Sequence, residues 1–159
     1  MKHPLLTTGL TFAVLALSSA SSAASDGLVA RFLEGAPKDL FILENASKCD
    51  LKSARIILDL SGSSAGLTFD VTGSGAGVEV FQPLEIVSGA SALRTLPELR
   101  DGDNRLELQI SGLSKGNAIS FTIDVDDTLG GRETIVDTSE IVGATVALQT
   151  SGQTRSAVF

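Results

Sequence analysis

Two clusters of acids are the side chains in this sequence best placed to do chemistry. The first is Asp101-Gly102-Asp103-Asn104, preceded by Arg100. The second is Asp124-Val125-Asp126-Asp127, just before Thr128-Leu129-Gly130-Gly131. Hard cations such as calcium take about six to eight oxygens from Asp, Asn and backbone carbonyls, and both clusters offer that donor set. Asp101, Asp103, Asp124, Asp126 and Asp127 are therefore the candidate metal ligands, with calcium as the candidate ion. The calcium loop of EF-hands is absent: it needs Gly at its sixth position and Glu at its twelfth, where this chain has Leu106 and Gly112. Asp124 and Asp126 should project to one side of a strand and Asp127 to the other. Like charges so close repel unless a cation or a base compensates. Two readings stand: a calcium site at one cluster, or solvated turn acids partnered by Arg100 and Arg132.

Other catalytic apparatus is scarce. The single His is His3, there is one cysteine, Cys49, and the chain has no Trp and no Tyr. Without an imidazole beyond position 3, Ser-His-Asp and Cys-His arrangements cannot be assembled there, and neither can histidine-based zinc or copper sites. Carboxylate pairs and Ser-Lys pairs remain. No enzyme activity is expected. Thr72-Gly73-Ser74-Gly75-Ala76-Gly77 resembles a phosphate loop only superficially; it lacks the Gly-Lys-Ser/Thr ending, and no helix is expected after it. Asn45-Ala46-Ser47 fits a glycosylation acceptor but is read as a turn.

Short apolar runs at period two must position these acids. Ile56, Leu58 and Leu60 share one side of a strand, as do Leu67, Phe69 and Val71; Leu106, Leu108 and Ile110; and Ile119, Phe121, Ile123 and Val125. Further strands are expected at 28–33, 40–43, 78–81, 134–136, 141–148 and 154–159. Pro83 should end the strand before it. Gly, Ser, Asn and Asp separate the runs, and no amphipathic helix is evident. About nine short strands of this kind make an all-β protein. An antiparallel β-sandwich, Ig-like or jelly-roll-like, is preferred to a barrel because several strands carry one polar face.

The first 24 residues read as a cleavable export signal: Lys2 and His3, an apolar stretch densest at 10–17, then Ser18-Ser19-Ala20-Ser21-Ser22-Ala23-Ala24. A membrane anchor is the rival reading, but the apolar stretch is shorter than the ~20 residues a span needs. Residues 25–159 should then form a single domain. Removing the leader takes Lys2 from the 12 basic residues and leaves all 19 acids, so the charge moves from −7 to −8. That balance argues against nucleic acid and anionic membranes as partners. Cys49 cannot form an internal disulfide and is expected to be buried. Phe159 resembles the terminal aromatic of outer-membrane barrels, yet the strands are too short and too few in lipid-facing pattern, and a soluble periplasmic or extracellular protein is expected.

Several phrases carry a resemblance. They include Glu34-Gly35-Ala36-Pro37-Lys38-Asp39, Leu58-Asp59-Leu60-Ser61-Gly62-Ser63 and Thr68-Phe69-Asp70-Val71-Thr72-Gly73. Gly75-Ala76-Gly77-Val78-Glu79-Val80-Phe81-Gln82-Pro83, Asp101-Gly102-Asp103-Asn104 and Phe121-Thr122-Ile123-Asp124-Val125-Asp126-Asp127-Thr128 are the others. Over roughly Leu28 to Leu148 the chain resembles small exported bacterial proteins described as aggregation factor core proteins, named for part of the sponge aggregation factor. The resemblance implies calcium-linked extracellular adhesion and assigns no site residues. The expected function is thus an exported, non-enzymatic adhesion or interaction module whose partner is a protein or a cell-surface polysaccharide. A calcium-dependent carbohydrate-binding module is the alternative, and a small carboxylate-dependent hydrolase a third class.

Overall fold

A computed structural model describes residues 19–74, 81–129 and 136–159. Its strands are β1 (Ala20–Ser25), β2 (Leu28–Leu33), β3 (Asp39–Glu44), β4 (Leu51–Asp59), β5 (Thr68–Asp70), β6 (Glu85–Ser88), β7 (Arg105–Leu113), β8 (Ala118–Asp126), β9 (Thr145–Thr150) and β10 (Gln153–Val158). One short 3₁₀ turn, Ala90–Ala92, interrupts them. No helix among the described residues is long and apolar enough to cross a membrane.

The strands form two antiparallel sheets packed face to face as a β-sandwich. One sheet runs β1-β2-β3-β8-β5, with β6 pairing the same edge of β8 further along; the other runs β10-β9-β4-β7. Period-two alternation explains the layering. Leu28, Ala30 and Phe32 of β2, Phe41 and Leu43 of β3, and Ile119, Phe121, Ile123 and Val125 of β8 point inward from the first sheet. Ala54, Ile56 and Leu58 of β4, and Leu106, Leu108 and Ile110 of β7, meet them from the second. Phe41 is the middle of an aromatic row: its ring centroid lies 5.0 Å from Phe32 and 5.3 Å from Phe121.

Several boundaries differ from the sequence expectation. A strand not expected from the sequence, residues 20–25, spans the end of the expected leader (1–24) and pairs with β2 from Ala20↔Leu33 to Ser25↔Leu28, with Ala23 buried in the core. The strand expected at 141–148 begins only at Thr145, because 138–143 form consecutive turns. Gly143 sits at φ +96° against Gly62, where a Cβ on either would strike the other's carbonyl oxygen. That close approach forces a turn before β9 can start. The strands expected at 78–81 and 134–136 lie largely outside the described residues.

Cys49 corrects the expectation of burial: it is exposed. The reason is the turn it occupies. Asn45 is wholly buried, and its Nδ2 donates to the carbonyls of Cys49 (2.9 Å) and Leu113 (2.9 Å). The Asn45 amide thus spends its donors inside the turn, and the cysteine side chain is left on the rim.

Candidate metal centre

The site grows from the C-terminal end of β8. Because Phe121, Ile123 and Val125 face the core, Asp124 and Asp126 must share the opposite face. On its free edge β8 pairs β5 in the register Thr68↔Asp126, Phe69↔Val125 and Asp70↔Asp124. Asp70 therefore lies directly across from Asp124, an arrangement that like charges normally destabilise. Asp70, Asp124 and Asp126 are all buried, at 1%, 4% and 2% exposure, and they offer carboxylate oxygens within 4.8 Å of one another.

The electrostatics follow from burial. Desolvation, then the charges of Asp126 and Asp101, push the Asp70 carboxyl up to about 6. Desolvation, then the charges of Asp126 and Asp70, push Asp124 up to about 7. Oδ2 of Asp70 and Oδ2 of Asp124 have no hydrogen-bond donor. The ion pairs among the described residues join Arg31–Glu44, Lys38–Glu85, Arg55–Glu107, Arg105–Asp59 and Arg105–Glu107, and none reaches Asp70 or Asp124. Buried polar groups are ordinarily satisfied, so these two oxygens ask for a proton or a cation.

Asp101 and Asp103 play a different part. The turn at 100–103 lies along the second edge of β5, with Phe69 N donating to Asp103 O (2.8 Å) and Gly102 N to Phe69 O (3.0 Å). Asp101 Oδ1 accepts the backbone N–H groups of Val71 (2.9 Å) and Thr72 (2.8 Å), while its Oδ2 accepts the Thr72 hydroxyl. The Thr72 hydroxyl, more than the two amides, holds Asp101 below its usual carboxylate range. Asp103 Oδ2 accepts the Arg100 backbone N–H (2.8 Å). Both acids staple the loop that steadies Asp70, and Asp101 also reaches Asp70 through its charge. Asp127 is buried just past the end of β8, and a clamp holds the chain there. Thr128 Oγ1 donates to Gly66 O (2.7 Å), and the amides of Thr128 and Leu129 donate to Ala65 O.

The structure thus brings Asp124 and Asp126 together and puts Asp101 and Asp103 to work in the neighbouring turn. Arg100 makes no ion pair with a described acid, its contact to Asp103 being through its backbone; Arg132 lies outside the described residues. Asp70 was missing from the sequence candidates. The alternation Leu67-Phe69-Val71 already turned it away from the core; only the β5–β8 pairing places it against Asp124. Asp39 was missed too. It is buried at the start of β3, accepts Gly35 N (3.1 Å), and is raised to about 8, chiefly by desolvation. The charge of Asp124 pushes the same way, while the amides of Gly35 and Val125 oppose the rise.

Three carboxylates of this spacing fit a hard cation. Two oxygens on opposite sides of calcium, each about 2.4 Å from it, lie about 4.8 Å apart. No family model, curated protein or solved structure matches the chain.

Proposed function

We propose that this chain is a calcium-binding β-sandwich module that works outside the cytoplasm in adhesion or interaction. One observation carries the calcium half of the reading: buried oxygens of Asp70, Asp124 and Asp126 converge within 4.8 Å, and Oδ2 of Asp70 and of Asp124 lack any donor. A divalent cation would neutralise the repulsion that β5–β8 pairing creates and would hold the two strands together at that end of the sandwich. The adhesion half rests on the sequence resemblance and on the export signal. Burial favours an ion over the hydrolase reading, because acids that cleave a glycosidic bond must flank the substrate.

Calorimetric titration of metal-stripped protein with calcium tests the reading. Extracellular calcium modules bind with dissociation constants of about 10⁻⁴–10⁻³ M, and a value in that range is expected. Asp70→Asn with Asp124→Asn should abolish binding, while Asp103→Asn should retain it. Absence of calcium heat in the folded wild-type protein would sink the calcium reading.

A further inference from the structure

The outer face of the second sheet carries a polar row that the calcium site does not use. Arg55 of β4 pairs in register with Gln109 of β7 on one side and with Gln149 of β9 on the other. Beyond Gln109, Arg94 continues the row: its backbone N donates to Gln109 O (2.8 Å). The inward neighbours Ala54 and Ile56 are buried, so Arg55 faces solvent. Ser53, Arg55, Arg94, Gln109, Gln149 and Ser151 line an open cleft of about 420 Å³ here.

Two local features shape the cleft. Ser53 has φ +50°, the only positive φ among the described non-glycine residues. The β4–β7 ladder skips Ser53 and Ser111 while Lys52↔Gly112 and Ala54↔Ile110 stay paired. Such strain persists only where surrounding structure imposes it, and it gathers at binding sites. Here it presents the Ser53 hydroxyl to Arg94 Nη2 at 2.9 Å. Arg94 forms no ion pair with a described acid, and Arg55 keeps only a 3.5 Å contact with Glu107. In a chain of net charge −7, two guanidiniums in one cleft are a local reversal of sign.

We infer that this cleft binds an acidic polysaccharide, its arginines pairing with carboxylate or sulfate groups and its amides and hydroxyls with the sugar hydroxyls. Guanidinium forks match planar oxyanions bidentately. Strands about 4.8 Å apart make the row from Gln149 to Arg94 roughly 14 Å long, the reach of an extended chain and not of one small anion. The chain has no Trp or Tyr to stack on a neutral sugar, so charge must supply the affinity. The lining offers no apolar socket for a peptide anchor. The inference gives the interaction role proposed above a class of partner, but it does not rest on the calcium site, which lies on the other sheet.

Binding of the full chain to polygalacturonate, to dextran sulfate, to neutral dextran and to polyglutamate, each in EDTA and in millimolar calcium, tests it. Either acidic polysaccharide should bind in EDTA, and which of the two binds names the acid group; neutral dextran should not bind. Arg94→Gln, which removes a hydrogen bond to Ser53, and Arg55→Gln should each weaken binding about tenfold, the loss expected for a charge-assisted pair. Arg31→Gln, on the outer face of the first sheet, should leave binding unchanged. The inference is overturned if neither polysaccharide binds in EDTA, if Arg31→Gln weakens binding as much as Arg94→Gln, or if polyglutamate binds as tightly as the sugars. Polysaccharide binding in EDTA together with no calcium heat in the titration above would overturn the calcium reading and leave this one standing.

Discussion

Consider metal-stripped protein carried from about pH 5 to about pH 8. Asp124 and Asp70 titrate near 7 and 6 in the folded protein, against an ordinary 3.8. Across this window the folded state holds protons that the unfolded chain has already released. Stability therefore falls as pH rises, and the fall is complete once pH passes the folded values. Each pH unit between folded and unfolded titration is worth about 1.4 kcal/mol. Asp124 then loses on the order of 3 kcal/mol between pH 5 and 7, and Asp70 on the order of 1 kcal/mol between pH 5 and 6. A loss of this size lowers the melting temperature of a domain of this length by roughly 10 °C. Asp39, raised to about 8, adds a fall of the same sign, and Asp39→Asn removes that contribution. Calcium acts on the ionised cluster alone. At about a hundred times its dissociation constant it should restore about 2.7 kcal/mol at pH 8 and almost nothing at pH 5. Scanning calorimetry of Asp39→Asn at both pH values, with EDTA and with calcium, reads all four states. Equal melting temperatures at pH 5 and 8 in EDTA, or a calcium shift of the same size at both, would refute the reasoning.

Three more outcomes follow from particular contacts. Asp101→Ala strips three donors of their acceptor and should cost about 1–3 kcal/mol in urea unfolding, whereas Asp101→Asn should cost less. Phe121→Ala, at the end of the stacked aromatic row, should cost about 3–5 kcal/mol by the same measurement. Leader removal after residue 24 would leave a chain beginning at Ser25 that lacks all but the last residue of β1, exposes the β2 edge and loses the buried Ala23; it should melt several degrees lower than the full chain and self-associate more on gel filtration.

The fold was legible where one face of a strand is apolar. Runs such as 119–125 and 106–110 announce both the strand and the side that turns inward, because side chains alternate at a period of two. The same rule put Asp124 and Asp126 on one outward face. It failed at 141–148, where the close approach of Gly62 and Gly143 imposes a turn; the expected burial of Cys49, drawn from cysteine chemistry and not from alternation, failed because Asn45 bonds hold the chain at the rim. Alternation gave no sign of β1 at 20–25, where Ala and Ser carry no apolar stripe yet pair as an edge strand.

What the sequence by itself determined is therefore the strands with one apolar face, the two-layered architecture and the acidic character of one strand end. Tertiary structure alone decided which acids meet. Asp70 and Asp124 are far apart in the chain and become cross-strand neighbours only through the β5–β8 register. Burial at that end then makes their charges costly, while Asp101, so similar in sequence, is quieted by three donors of the distant residues Val71 and Thr72. The physical reason is that alternation tells a side chain which face it occupies, whereas its neighbours and the water left around it depend on pairing between distant segments.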